Sequence, residues 1–466
     1  MREGSLPARL ARSCRVCLFA AGLLLSVALM AGCRGSSTGT AASGTAAPTA
    51  RAAATGAPGP ASAGPATTSG SAMAAGPATT VPAGPPAGAD SSCPLQQSPC
   101  YSPHQLRVAY GIQPLLDSGI SGRGVTVTVL SPAPAPGDAS DIRQDLAAFN
   151  KMFGLPAARI QIVTTLAGAA APWQADGEEV GDFEVIHAVA PAATLRVVLF
   201  PATWSQRASN ATADMLAGLR LAVSGTDVAS ISWGLGEHYF AKAQVAEMHS
   251  ILLGAAAHHV TVLASSGDNG AFSDDWFGGR PARELELPAS DPLVLGVGGT
   301  MLTARPSGAY LSETAWGGSG GGFSHLYARP AYQDGVRRIL AMRGGPDVAA
   351  DAGHPGPPIV FAGGVIETPI GTSGSTPLWG GIIALADQYA HHDLGFVNPA
   401  IYRIGRSPSY HQALHDVTAG NNDVTAGSAT AGSQAGPGWD PVTGWGSPNA
   451  QVLVPRLARF ASSSQA

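Results

Sequence analysis

One serine and three acids carry the chemistry this sequence offers. Ser373 stands in Gly371-Thr372-Ser373-Gly374-Ser375-Thr376-Pro377, which runs into an apolar stretch with helical patterning. A hydroxyl there can be an N-cap. It can also be a nucleophile, because the helix dipole favours a developing oxyanion. A nucleophilic hydroxyl needs a base. None of the twelve histidines sits in a His-Gly-Thr-His segment or at HExxH spacing, and His187 lies in an apolar run as a half-buried residue. Glu178 and Asp182 are four residues apart, which places them on one helix face. Two acids so placed repel unless they share a proton, in which case one is held as a poised base. Taken alone, they read more simply as a solvated acidic first turn, which the dipole favours. Asp268 follows the apolar run 260–265 and precedes Asn269-Gly270. It reads either as a turn residue or as an acid at the edge of a sheet.

Positioning these groups requires alternating strands and helices. Apolar β-branched runs predict strands over 125–130, 160–164, 195–200, 228–233, 260–265 and 293–297. Helical spacing predicts helices over 138–153, 178–189, 211–223, 241–258 and 372–389. Alternation of this kind implies a doubly wound, mostly parallel sheet with helices on both faces, an α/β fold. In such sheets active residues gather where strands end and helices begin.

Taken in order, Glu-x-x-x-Asp on a helix, Asp after a strand and Ser in Gly-Thr-Ser resemble the sedolisin (serine-carboxyl) peptidases, in particular the kumamolisin-like members. The segments SISWG, LPASDPLVLGVGGT, GGGFS and GPGWDPVTGWGSP, within a match of roughly 101–454, look like the same family. The resemblance implies a subtilisin-like fold and cleavage of peptide bonds through an acyl-enzyme on Ser373. It makes Glu178 the general base, Asp182 its orienting partner and Asp268 part of the oxyanion hole. A carboxylate base titrates about two pH units below an imidazole, so activity is expected in acid. Ser232, Trp233 and Gly234, with Gly320–Gly322, are edges where an extended substrate peptide could add as a strand.

Near the C-terminus Asp416 and Asp440 frame a Gly- and Asn-rich loop. Two carboxylates with several backbone carbonyls form a hard-oxygen cage suited to Ca²⁺. The resemblance implies one structural calcium held by the Asp416 and Asp440 side chains and the carbonyls of Val417, Gly436 and Gly438. Two departures from the family are expected to matter. The residues before 93 are not expected to form the folded prodomain that the family usually carries, and Ser131 stands where an acid is common, so an outer link of the acid network is expected to be missing.

The remainder concerns export and partners. Charged residues are 12% of the 466 and net charge is −5, which excludes a polybasic nucleic-acid binder. Four arginines precede an uncharged run that is too short for a membrane span and ends at Met30-Ala31-Gly32-Cys33. This resembles a lipoprotein signal, giving a leader over 1–32, lipidation at Cys33 and a membrane anchor outside the cell. Residues 33–92, rich in Ala, Gly, Ser, Thr and Pro, cannot bury enough surface to fold and read as a linker. The peptidase-like domain then covers 93–466. Cys93 and Cys100, the remaining pair, read as a small disulfide staple in an oxidising compartment. Protein or peptide substrates are the expected partners. The rival reading is a catalytically inactive, peptide-binding surface lipoprotein of the same fold.

Overall fold

A computed structural model describes residues 100–133, 140–165, 174–175, 177–201, 208–273, 277, 281–364, 366–368, 370–424 and 432–462. The leader, the linker, Cys33 and Cys93 lie outside the described residues. Cys100 is disulfide-bonded to a partner that also lies outside them.

The apolar runs become the strands of one eight-stranded sheet. These are β1 (Thr126–Pro132), β2 (Arg159–Thr165), β3 (Thr194–Phe200), β4 (Val228–Ile231), β5 (Thr261–Ser265), β6 (Leu295–Ala304), β7 (Tyr310–Ala315) and β8 (Val348–Asp351). The order is β7-β6-β5-β4-β1-β3-β2, with β8 pairing β6. Every pairing is parallel except β6 with β7. The helices that position the site are α1 (Ile142–Phe153), α2 (Gly177–Val189), α3 (Ala208–Ala222), α4 (Lys242–Ala257), α5 (Thr372–Ala390) and α6 (Ala450–Ser462).

Strands covered on both faces read as continuous apolar runs, and the core divides accordingly. Val127, Val129, Val197 and Leu199 point into one cluster with Phe183 and Ile186 of α2, Leu378 and Ile382 of α5 and Leu453 of α6. Their neighbours Leu130, Val198 and Phe200 point the other way, against Met215 and Leu219 of α3 and Met248 and Leu252 of α4. This is the period-2 alternation of a strand, with apolar residues at both phases. Helices α2 and α5 approach so closely that a Cβ at Gly381 would lie 2.6 Å from Val189.

Chain order reverses about β1, with β3 on one side and β4 on the other. The connections leaving the carboxyl ends of these strands diverge there and open a crevice. Ser131 at the end of β1, Ser232 just past β4 and the loop running from β5 to Asp268 all reach that edge. Several elements differ from expectation. Strand β4 stops at Ile231, so Ser232 and Trp233 leave the ladder. Helix α1 begins at Ile142, because the Asp141 side chain caps it by accepting from the Arg143 N–H. Strands β7 and β8 and helix α6 were not expected. No helix of the described residues is long and apolar enough to cross a membrane.

Candidate active site

Helix α2 brings acid into the interior. Residues Glu179 through Val189 are all buried, whereas Glu178 is only half-buried at the mouth. The acids in the first turn face the positive end of the helix dipole. Two of the buried acids of α2 each meet a hydroxyl from the sheet edge. The Ser131 Oγ donates to Glu179, and the Ser232 Oγ donates to Asp182 Oδ1 at 2.8 Å. Ser131 therefore does not leave a gap in the acid network; it ties the end of β1 to Glu179, one residue beyond the expected base. Asp182 and Glu178 are separated by one helical turn along the same face.

Ser373 is the second residue of α5 and is half-buried. Its Oγ donates to the backbone carbonyl of Ser232 at 3.3 Å. Ser232 thus touches two of the expected catalytic groups, accepting from Ser373 through its carbonyl and donating to Asp182 through its hydroxyl. The hydroxyl of Ser373 makes no side-chain N-cap bond for α5. Among the described residues no histidine hydrogen-bonds to it. His187 is fully buried, with Nε2 at 2.8 Å from the Pro156 carbonyl. Burial lowers its pKa to about 4, which keeps it neutral in the core.

Asp268 secures the start of α5 from the opposite side. Its Oδ1 accepts from the Thr372 N–H and from the Thr372 Oγ1, both at 2.8 Å. A Cβ at Gly371 would lie 2.6 Å from Asp268 Oδ2, so only glycine fits before Thr372. The Asp268 side chain is exposed toward the crevice, yet protein atoms ring it closely. That crowding holds its carboxyl above the usual range, against the opposing pull of the two Thr372 bonds. An acid so raised stays protonated into mildly acidic solution and can donate a hydrogen bond.

The residues expected to bind substrate are placed as follows. Ser232 is buried and bridges as described. Trp233 is half-buried and meets Phe200 edge-on at 5.3 Å. Gly234 is buried, and a Cβ there would come 3.1 Å from Glu286 Oε2 and the Leu287 carbonyl. Gly320 lies directly on the loop before Asp268: its N–H donates to the Gly267 carbonyl at 2.8 Å. Thr372 was missed by sequence reasoning. Its signal is a hydroxyl residue immediately before the serine, at a helix start.

The C-terminal loop brings Asp416 and Asp440 to one stretch of backbone. Asp416 accepts from the Gly438 N–H at 3.1 Å through both oxygens and from the Tyr410 hydroxyl at 3.0 Å. Asp440 accepts from the N–H groups of Gly436, Val442 and Thr443 and from Thr443 Oγ1. Among the described residues the carbonyls of Val417, Gly436 and Gly438 accept no hydrogen bond. Two carboxylates and three unclaimed carbonyls are a hard-oxygen donor set that fits Ca²⁺. No cluster of three or more His, Cys, Asp or Glu side chains able to hold a metal occurs among the described residues.

Comparison with known proteins bears on this geometry. The family model described as "Subtilase family" matches residues 163–446. Kumamolisin from Bacillus sp. (strain MN-32) is 35% identical over 310 residues, covering 62% of this chain and 52% of that protein. Tripeptidyl-peptidase 1 from Homo sapiens is 34% identical over 252 residues, covering 49% of this chain and 43% of that protein. The chain thus spans about half the length of these relatives or less. Among solved structures, Pseudomonas sedolisin, a serine-carboxyl proteinase complexed with two molecules of pseudo-iodotyrostatin, superposes with a TM-score of 0.65 at 26% identity. That match covers 79% of this chain and 99% of the other.

Proposed function

We propose that this chain, which belongs to the subtilase family and within it to the sedolisins, is a serine-type peptidase that works without histidine. Ser373 attacks the peptide carbonyl while Glu178 takes the hydroxyl proton. A C–O bond forms, the carbonyl oxygen becomes an oxyanion and protonated Asp268 donates to it. The C–N bond then breaks, the leaving amine takes the proton back from Glu178, and water releases the acyl group by the same steps in reverse. Glu178 suits the base role better than Glu179, because it stands at the mouth while Glu179 is buried against Ser131. The observation that carries the reading is the single residue Ser232, which joins the Ser373 hydroxyl to Asp182. An ionised Glu178 together with a protonated Asp268 is a state favoured by acid, so maximal activity falls well below neutral pH.

The test is hydrolysis of a denatured protein from about pH 3 to 8, a range spanning carboxylate and imidazole titration. Wild type is expected to peak on the acid side. Ser373→Ala and Glu178→Gln should each lower the rate by about 10²–10⁴-fold or more. A Ser373→Ala chain that retained the wild-type rate would remove Ser373 as the nucleophile, and a wild type without hydrolysis at any pH would leave the peptide-binding, inactive reading standing.

Secretion with a lipid at Cys33 is part of the same proposal, and it places the domain outside the cell on a flexible tether. So is one calcium ion held by Asp416, Asp440 and the carbonyls of Val417, Gly436 and Gly438. Bound there, the ion supplies cross-linking of the loop and no chemistry at Ser373. Chelation is expected to lower the melting temperature of the wild type by several degrees and to leave Asp416→Asn unchanged. Equal melting curves with and without chelator in the wild type would remove the ion.

A further inference from the structure

A cavity of about 480 Å³ lies on the C-terminal side of the fold, remote in sequence from the serine and its acids. Its wall is formed by 335–338, Arg406, Pro437–Trp439 and Trp445. Three arginines, Arg337, Arg338 and Arg406, border it in a chain whose charged residues are few. None of the three is within salt-bridge distance of a carboxylate among the described residues. The one acid close by in sequence, Asp334, pairs with Arg329 instead. Arg406 donates to the carbonyls of Asp334 and Tyr402. Arg338 donates to the Gln434 carbonyl and lies so close over the loop that a Cβ at Gly436 would be 2.3 Å from its Nη2. Carbonyl bonds orient a guanidinium without cancelling its charge. Arg337 makes no hydrogen bond or ion pair at all among the described residues.

The apolar part of the wall is aromatic. Trp439 and Trp445 are 2% and 5% exposed. The Trp439 indole N–H is used by the Pro346 carbonyl, whereas the Trp445 indole N–H is buried without a partner. The side-chain polar groups left over at this cavity are therefore donors. Asp416 and Asp440, which flank the wall segment Pro437–Trp439 in the same loop, turn their oxygens to the N–H groups of Gly438 and Gly436. The volume falls within the range of small-molecule sites and far exceeds one bare anion. Forked guanidinium groups match carboxylate and phosphate oxygens two at a time.

We propose that this cavity is a binding site for a molecule bearing carboxylate or phosphate oxygens, gripped by Arg337, Arg338 and Arg406 with its organic body against Trp439 and Trp445. The site is independent of the peptidase chemistry and stands or falls separately from it. An acidic segment of a peptide and a free phosphate-type anion present the same oxygens, and the two can be told apart by probe.

The experiment is titration calorimetry on the full chain carrying Ser373→Ala, so that a peptide probe stays intact. The probes are tetraglutamate, tetraglutamine and inorganic phosphate, at about pH 5, where most glutamate side chains are ionised. Tetraglutamate is expected to bind and tetraglutamine not to. Arg337→Gln should weaken binding by about tenfold, and Arg337→Gln with Arg406→Gln should abolish it. Because Arg337 makes no contact that the fold needs, its single variant keeps the test meaningful even if the double variant is unstable. Binding of tetraglutamate alone identifies acidic peptide as the source. Binding of phosphate, with or without the peptide, identifies a general oxyanion site. Equal binding of tetraglutamine, no binding of either anion, or affinity unchanged in Arg337→Gln and in the double variant would overturn the proposal.

Discussion

Strand β8 ends in acid at both extremities, and the two ends are treated differently. Just before it, Asp347 is fully buried and meets a fully buried arginine: Arg343 donates to both of its oxygens, at 2.9 and 2.7 Å. The Gly296 N–H, the Tyr402 hydroxyl and the Asn398 amide complete that carboxylate. At the other end, Asp351 is buried with no cation. Its Oδ1 accepts from the Leu302 N–H at 3.0 Å, and Oδ2 has no partner among the described residues. The neighbouring Glu313 is also buried, and its donors are the hydroxyls of Tyr110, Thr300 and Ser447. The first end can stay charged in the interior because its charge is matched. The second is at ease only when its acids carry protons. The second end is also the one beside the nucleophile: the Gly371 N–H donates to the Ala352 carbonyl, and the Ser375 Oγ to the Ala350 carbonyl. At the crevice the donors seen on Glu179, Asp182 and Asp268 are again hydroxyls and a backbone N–H. Burial raises Asp351, Glu313 and Asp268 near the chemistry, whereas the Asp347 charge is matched by Arg343.

The sharpest way to break this contrast is to remove the cation. Arg343→Met leaves Asp347 buried without its counter-charge, and losing one partner of a buried pair costs about 3–5 kcal/mol. Denaturant unfolding should show a loss of that size at neutral pH. A loss under about 1 kcal/mol, the range of a surface pair, would mean that the pair is not the structural element described.

A smaller effect is expected at Ser232. Ser232→Ala keeps the carbonyl that meets Ser373 and deletes the hydroxyl that meets Asp182. Losing a hydrogen bond to a charged group is worth about 1.5–3 kcal/mol, so kcat should fall by about tenfold to a hundredfold. KM should change little if the role is positioning. A raised KM with an unchanged kcat would assign Ser232 to substrate instead, as the strand-edge reading of Ser232-Trp233-Gly234 has it.

Much of this was legible in the sequence because it is local. The parallel sheet follows from apolar runs alternating with helical periods, and Glu178, Asp182, Asp268 and Ser373 stand at strand ends and helix starts that the pattern marks. What was hidden depends on distance along the chain. The bond from Tyr110 to Glu313 joins residues 203 positions apart, and that from the Asp351 N–H to Tyr110 joins residues 241 apart. No periodicity reports such partners. The link from Ser131 to Glu179 was misjudged for the same reason: an acid was expected at the strand end, and a hydroxyl fills the place by bonding to the neighbour of the expected residue. Strand β8 is four residues long, with Pro346 and Gly353 close on either side, and is too short for its period to register.

The last effect is a slope rather than a step. Burial raises the pKa of Asp351 well above its ordinary value, and burial raises Glu313 as well; the Glu313 charge adds to the rise at Asp351. A carboxyl whose folded pKa exceeds its unfolded one binds more protons when folded. Its stabilisation is whole below the unfolded value, near pH 4, and is lost as pH climbs through the folded value. Glu184 and Asp387, raised by burial elsewhere in the core, act with the same sign. The melting temperature should therefore fall from mild acid toward neutral and alkaline pH. Asp351→Asn removes one titrating group while keeping an oxygen for the Leu302 N–H, so its curve should be flatter, converging on or crossing the wild type at high pH. Because β8 bonds directly to the start of α5, the same substitution should extend the time for which peptidase activity survives near neutral pH. A melting profile with unchanged slope in Asp351→Asn would show that this end of β8 does not titrate with folding, and the contrast between its two ends would lose its physical basis.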